Sequence, residues 1–473
     1  MKTLLILLIA LFAISAYADT KSVEVTVYNS GFGLVKEVRD MAFTKGMKTY
    51  GFEDVAALIE PQSVLFKSLT DANGIEVYEQ NYEYDLMNAK NILSKSVGKK
   101  VTCKDGVVGT LISAPGIGNA SNAGLIVKTD DGKIMLYPSI EYITELPEGL
   151  IAKPTLNMMI YSEADKTHDI ELSYITQGFN WNATYVVLLG ADDTTCDLNG
   201  WVTVNNTCGT TYKNANLTLV AGDVNRVERG GRNKALGMAA APGLVYDEAV
   251  QKVPNGFEEE GFFEYHLYKL PRNTDINSNE TKQISLLQGS DVKITKKMTF
   301  TPHLRSQYFC LGFDNNPYAS ATSQNTKIPV LLEIENKKEN NLGMPMPKGT
   351  VKIYKKDKAG QEQFVGEDAI DHTPKDEKIK LKAGNAFDIV GEYKLTNYKR
   401  INNNTIEETY EVTIKNHKTE DATVYFYENA WGDWTVTKKD NDFNKIDAYT
   451  LEFPINVKAD GTKTITYTIR TKY

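Results

Sequence analysis

The stretch LSYITQGFNWNATYVVLLG, residues 172–190, joins two apolar runs through a Gly-Phe-Asn-Trp break. Before the break, Leu172 and Tyr174 alternate with polar neighbours, which is typical of a half-buried antiparallel strand. After it, TYVVLL is apolar on both faces, as expected for a strand inside a sandwich. We interpret the stretch as a strand, a corner at Gly178 and a second strand. Trp181 is then a core side chain at the corner rather than a platform for a ligand.

Short alternating strands separated by turns continue along most of the chain. Residues 22–43, SVEVTVYNSGFGLVKEVRDMAF, predict two strands around a tight turn, the second alternating on Leu34, Lys36 and Val38. After residue 260, strands recur about every ten residues, which favours an Ig-like sandwich.

Two segments depart from this pattern. Two Asp-Gly dipeptides, at Asp105 and Asp131, separate short strands and are strong hairpin signals. They predict a small, closed SH3-like barrel at about 97–146, inserted in the first sandwich. Before it, residues 85–97 predict one short helix, with Asp85 as the N-cap.

A third segment, residues 226–260, has no strand alternation and is rich in Gly, Ala and charge. It exceeds the ~12–15 residues beyond which unstructured connections are uncommon. We expect a flexible linker whose apolar islands, 236–238 and 244–246, dock on a partner or back onto the N-terminal sandwich.

The fold expected for the whole chain is therefore mostly β: two β-sandwich domains with an inserted small SH3-like barrel and a mobile central loop. The expected segments are a signal peptide at 1–18, an N-terminal β-sandwich at 19–225, the linker at 226–260, and a C-terminal Ig-like β-sandwich at 261–473.

The first eighteen residues, MKTLLILLIALFAISAYA, carry one lysine, an apolar core and a small-x-small ending. This pattern predicts a secretory signal peptide cleaved near Ala18–Asp19. Its apolar run is shorter than the roughly 20 residues that span a bilayer. We expect an extracytoplasmic protein (periplasmic, envelope or secreted) that does not span the membrane. The net charge of −8, evenly mixed along the chain, gives no basic footprint for nucleic acid.

Four cysteines leave the disulfide pairing open: Cys103, Cys196, Cys208 and Cys310. The segment CDLNGWVTVNNTC predicts one extended strand, which would separate its ends by about 40 Å. A bridge requires Cα atoms within about 7 Å. Cys196 and Cys208 can therefore pair only if the chain folds back at Asn199–Gly200.

The common signatures of serine hydrolases, zinc proteases, nucleotide-binding loops and redox CxxC sites are missing from the sequence. We expect no catalytic residues, metal site or cofactor. Two acid–histidine combinations remain as alternatives for a secreted hydrolase. One is Asp371 with His372. The other is Glu264, with the preceding run 258–260, near His266. In each, a carboxylate beside an imidazole could orient it for proton transfer. The competing interpretation is a solvated turn or loop end.

Trp431 and Trp434 flank Gly432–Asp433 in the sequence WGDW. Corner packing is one interpretation of the pair. The other is a sugar-stacking platform, which would make the chain a carbohydrate-binding module.

Several longer stretches resemble a known family: VTVYNSGFGLVKE, EQNYEYDL, LSYITQGFNWNATYVVLL, LVAGDVNRV, MPMPKGTVKIYKKD and WGDW. The family consists of uncharacterised secreted bacterial proteins that share domain of unknown function 4139. It is distantly similar to proteins called mucoidy inhibitor A. The resemblance covers about 22–473 and implies an extracytoplasmic β-protein with no assigned reaction. We expect a non-enzymatic binding or assembly role, with an envelope protein or a glycan as candidate partner.

Overall fold

The computed structural model describes residues 14–15, 19–83, 87–114, 124–136, 138–222, 224–226, 257–302 and 326–472. Strands dominate these ranges, as the sequence predicts. Helical turns are limited there to α1 (Ala89–Lys95) and to 3₁₀ turns at Pro61–Ser63 and Lys338–Asn340.

The strands of the N-terminal half are β1 (Ile14–Ser15), β2 (Asp19–Tyr28), β3 (Phe32–Phe43), β4 (Gly46–Glu53), β5 (Leu65–Ser68), β6 (Ile75–Glu83), β7 (Lys100–Cys103), β8 (Val108–Ser113), β9 (Ile126–Thr129), β10 (Ile134–Leu136), β11 (Ile140–Ile143), β12 (Thr155–Ser162), β13 (Lys166–Gln177), β14 (Phe179–Leu189), β15 (Thr195–Asn206) and β16 (Tyr212–Ala221).

The later strands are β17 (Glu258–Phe262), β18 (Tyr265–Lys269), β19 (Thr274–Ile276), β20 (Glu280–Phe300), β21 (Lys327–Glu335), β22 (Gly349–Lys356), β23 (Glu362–Ile370), β24 (Lys378–Asn402), β25 (Thr405–Asn416), β26 (Ala422–Asn429), β27 (Asp433–Lys439), β28 (Asn444–Lys445), β29 (Thr450–Val457) and β30 (Gly461–Lys472).

The first of two compact units comprises Met1–Trp181, Val204–Val224 and Arg272–Lys282. In it, β3 pairs antiparallel with β2 and along its whole length with β13, while β16 pairs parallel with β2. A second sheet runs β4-β12-β6. Aromatic rings join the two sheets, since Phe43 meets Tyr50 at 4.7 Å and Phe52 meets Phe66 at 5.7 Å between centroids.

The inward face of β3 differs from the expected alternation on Leu34, Lys36 and Val38. Leu34 is exposed, and the core receives the opposite set, which includes Val35, Glu37, Arg39, Met41 and Phe43. A one-residue change of register exchanges the two faces of a strand. The partner strands set the register, and they place two charged side chains inside the sandwich.

The small inserted sheet has the strand order β10-β9-β8-β7-β11, with β10 and β11 as its two edges among the described residues. The prediction of a closed barrel is therefore wrong: the sheet is open. Its core consists of Val101, Cys103, Leu111, Leu125 and Val127, and Leu93 of α1 packs against it.

The helix before this sheet is shorter than predicted. Its N-cap is Asn88, whose side chain accepts a hydrogen bond from the Asn91 N–H, so the expected cap at Asp85 is wrong. Asp85 itself lies outside the described residues.

The corner predicted in the opening stretch is confirmed. β13 ends at Gln177, Gly178 has φ +87°, and β14 starts at Phe179. Trp181 is buried, and its indole N–H donates to the Val220 carbonyl at 3.2 Å. The ring is thus part of the core of the first unit.

The second compact unit comprises Asn182–Thr203, Asn225–Pro271 and Gln283–Tyr473. It contains the strand series β20-β21-β24-β25-β30-β27. Its core is aromatic: Tyr410 stacks between Tyr393 and Tyr467, at centroid distances of 5.2 and 5.5 Å. The division differs from the sequence-based boundaries. β14 pairs parallel with β22, and β15 lies between β14 and β20 in the same sheet, so 182–203 belong to the second unit.

Two predicted segments fall largely outside the described residues. Of the signal peptide at 1–18, only Ile14–Ser15 is described, and it pairs in parallel with Tyr50–Gly51. Of the linker at 226–260, residues 227–256 are outside. Its predicted end is wrong, because Phe257 is buried and β17 starts at Glu258. Within the described ranges, no helix has the length and apolarity to cross a membrane.

The corner glycine has a matched control in the same unit. Gly178 and Gly31 have nearly equal φ, +87° and +89°, but only a Cβ at 178 would meet the Cys208 backbone, at 2.9 Å. We expect Gly31→Ala to lower the free energy of unfolding by about 1–2 kcal/mol, because alanine is disfavoured at a left-handed backbone position. Gly178→Ala should cost a further ~1–3 kcal/mol from overpacking. Urea unfolding measures both, and equal losses would contradict the close approach.

Candidate functional site

The Asp371–His372 combination lies in an exposed turn after β23. His372 Nδ1 accepts a hydrogen bond from the Lys348 main-chain N–H at 3.3 Å, and the Asp371 carbonyl accepts one from the Thr373 hydroxyl at 2.9 Å. A bridge between Met346 and Thr373 closes the turn. These contacts organise the backbone, so the local geometry is that of a structural turn.

The second acid–histidine combination lies on the β17–β18 hairpin. His266 Nδ1 contacts Glu259 Oε1 at 2.6 Å, whereas Glu264 is exposed in the turn. Glu260 forms an ion pair with Lys269. Because side chains alternate along a strand, Glu259 and Glu260 point to opposite faces. Two glycosidase carboxylates would have to flank one bond, and this pair does not.

Trp431 and Trp434 are both half-buried. The Trp434 indole N–H donates to the Ala448 carbonyl at 2.8 Å, and the Lys445 ammonium lies 4.8 Å from the centre of the Trp434 rings. A sugar would have to displace this lysine to stack on the same face. The pair is therefore better suited to packing at the start of β27 than to a sugar platform.

A buried ionic group in the first unit was missed by sequence reasoning. Glu37 accepts from Arg39 Nε at 2.8 Å and Nη2 at 2.5 Å, and both residues are less than 10% exposed. Tyr174 donates to the other Glu37 oxygen at 3.0 Å, and its hydroxyl lies 3.3 Å from that of Tyr212. Arg39 Nη1 also donates to the Glu53 carbonyl. Burial alone would lower the pKa of Arg39, but the Glu37 charge keeps it raised.

The second unit buries a carboxylate in a similar way. Glu428 Oε2 accepts hydrogen bonds from Tyr393 and Tyr467, both at 2.6 Å. Burial, followed by the Glu428 charge, raises the pKa of both phenols well above the usual range. Both tyrosines are therefore neutral donors, and the carboxylate is enclosed rather than offered to a substrate.

A serine–histidine contact in the first unit is also enclosed. Ser68 Oγ and His168 Nδ1 are 2.9 Å apart, and both residues are buried. The Asp71 main-chain N–H donates to the same hydroxyl, so Ser68 closes a turn. Burial lowers the pKa of His168. Among the described residues, no group of three or more His, Cys, Asp or Glu is arranged to hold a metal.

Unlike these enclosed groups, the tip of the β17–β18 hairpin exposes two aromatic rings. Phe262 is 57% and Phe263 is 86% exposed. Phe262 pairs with Tyr265 in the hairpin, so Phe263 and Glu264 form a two-residue turn. Adjacent exposed aromatic side chains mark interaction sites more often than isolated ones do.

The backbone at this tip is strained. Phe263 has φ +55°, and the other eight non-glycine residues with positive φ in the described chain are all Asp or Asn. Hairpin turns of two residues favour Gly, Asn or Asp at such positions, and a bulky residue there is an outlier. Strain of this kind is concentrated at functional sites. The tip therefore keeps an aromatic ring where the backbone alone would favour asparagine.

A family model described as Domain of unknown function (DUF4139) matches residues 170–473. The chain belongs to the DUF4139 family. No curated protein matches the chain. The DUF4139 region starts within β13 and includes the hairpin tip, the WGDW sequence and the Glu428 group. It also contains Tyr174 and Tyr212, while Glu37 and Arg39 precede it.

The described cysteines of this DUF4139 protein are buried free thiols: Cys103, Cys196 and Cys208. β15 runs unbroken through Asn199–Gly200, so the chain does not fold back to join Cys196 to Cys208. Burial raises the pKa of Cys196 to about 12 and also raises those of the other two. Thiols of this kind are poor nucleophiles. Cys310 lies outside the described residues.

The buried ion pair generates a stability prediction. Arg39→Leu should lower the free energy of unfolding by about 3–5 kcal/mol, because it leaves the Glu37 carboxylate without its cation inside the core. Glu37→Leu combined with Arg39→Leu should cost less than the single change, since no charge remains buried. Urea unfolding of both variants measures the difference. A double variant that loses as much stability as Arg39→Leu, or more, would contradict this account.

Proposed function

We propose that this protein is a non-enzymatic binding or assembly protein outside the cytoplasm, and that the tip of its β17–β18 hairpin is the binding element. The observation that carries the proposal is Phe263: it is 86% exposed and held at a positive φ. The signal-peptide pattern at 1–18 supports the proposed location outside the cytoplasm. An envelope protein is the proposed partner class.

The distribution of acids and histidines supports a binding role over a secreted hydrolase. Asp371 and His372 accept hydrogen bonds that organise a turn, and Glu259 and Glu260 face opposite sides of β17. Glu37 and Glu428 are enclosed by their hydrogen-bond donors. A carbohydrate-binding role is disfavoured by Lys445 over Trp434.

The size of the tip limits how strongly it can bind. Burying a phenylalanine side chain contributes roughly 1.5–3 kcal/mol, so two contribute about 3–6 kcal/mol. Association costs at least about 4 kcal/mol in lost freedom. The tip can therefore anchor a complex, but polar and charged contacts around it must supply the remaining affinity.

Replacing the ring without harming the fold tests the proposal. Phe263→Asn removes the aromatic anchor and installs a residue suited to the positive φ. We expect the recovery of this protein in a large complex, after mild extraction of the host envelope, to fall at least about tenfold. Its melting temperature should stay the same or rise, because the strain is relieved.

Phe387→Ala is the matched control, since Phe387 is 95% exposed but lies on β24. It should leave recovery of the complex unchanged. A wild-type protein recovered only as a monomer, or in the cytoplasm, would contradict the proposed function. So would a Phe263→Asn variant that enters the complex normally.

A further inference from the structure

We infer that the partner of the hairpin tip is a protein surface with an apolar pocket inside a basic rim. The inference rests on the proposed function of the tip and adds the chemistry of the partner. It follows from the net acidic charge of the hairpin and from the position of Glu264 directly after Phe263.

The hairpin is strongly acidic for its length. Residues 258–269, EEEGFFEYHLYK, hold four glutamates against one lysine, a formal charge of −3 with histidine neutral. The single lysine, Lys269, forms an ion pair with Glu260, and His266 contacts Glu259. Glu264 follows Phe263 directly and is exposed in the same turn. Glu264 thus places a carboxylate directly after the exposed Phe263, at the tip of an acidic hairpin.

This arrangement fits an electrostatically guided protein contact. Aromatic side chains at the centre of an interface supply most of its binding energy, while charges at its rim steer the encounter and select the partner. An acidic rim selects a basic partner and disfavours an acidic one. The partner should therefore present lysine or arginine side chains around a pocket that accepts one or two phenylalanine rings.

The same charges argue against a lipid surface. Inserting Phe263 into a bilayer would carry the Glu264 carboxylate into the interface with it, since the two residues are adjacent in the turn. Anionic headgroups would repel the hairpin as a whole. A second copy of this chain is the third possible partner of the tip, and a measurement of self-association distinguishes it from the other two.

The test uses the full mature chain and three synthetic peptides of equal length. One peptide alternates Lys with Leu, one Glu with Leu, and one Lys with Ser. We expect only the Lys–Leu peptide to bind measurably by calorimetry. Its affinity should fall at least about fivefold when ionic strength rises from roughly 0.01 M to 0.15 M, because screening shortens the range of the attraction.

Two variants and two controls assign the binding to the tip. Phe263→Asn and Glu264→Lys should each weaken binding of the Lys–Leu peptide at least about tenfold. Phe387→Ala and Glu362→Lys, which alter an exposed ring and an exposed acid elsewhere, should leave it unchanged. Equal binding of the Glu–Leu peptide, or no binding of any peptide, would overturn the inference.

Two further outcomes would identify a different partner for the hairpin tip. Flotation with phosphatidylcholine vesicles that requires Phe263 would identify lipid. Concentration-dependent self-association that is lost in Phe263→Asn would identify a second copy. In each of these cases the binding role of the tip survives if recovery of the envelope complex still depends on Phe263, whereas lipid or a second copy would replace the envelope protein as the partner.

Discussion

A carboxylate inside a sandwich core must accept hydrogen bonds from its neighbours, and both units of this protein are built around that requirement. Glu37 is held by Arg39 and Tyr174 in the first unit, and Glu428 by Tyr393 and Tyr467 in the second. An unsatisfied buried charge costs far more than any single apolar contact contributes. The tyrosines around each acid are therefore fixed in position, and the aromatic packing of the cores follows from them.

This use of acids and tyrosines has a consequence for function. The buried carboxylates accept hydrogen bonds from buried donors. Nearer the surface, His372 accepts from the Lys348 main-chain N–H in a turn, and His266 contacts Glu259 within a hairpin. Among the described residues, Phe262 and Phe263 form an exposed pair of adjacent aromatic side chains, and Phe263 occupies a strained backbone position. Stability would favour asparagine at Phe263, so the ring points to selection for contact with another molecule.

Much of the fold could be predicted from local pattern. Gly178 and the alternation on either side of it predicted the corner, and Trp181 followed as its core side chain. Long-range pairing could not be predicted: Glu37 and Arg39 look like exposed residues of an amphipathic strand until β13 supplies Tyr174. The exposure of Phe263 depends on the register of β17 with β18. The parallel pairing of β14 with β22 joins residues 166 positions apart in sequence, such as Ala183 and Gly349. Neither leaves a local signal.

In the proposed function, the protein acts through its hairpin tip. The most direct measurement is photo-crosslinking in the native host, with a benzophenone amino acid at position 263 and, in parallel, at the exposed position 387. We predict one dominant protein adduct from position 263, sensitive to salt during extraction and absent from position 387. Identical adducts from both positions, or none from position 263, would contradict the account.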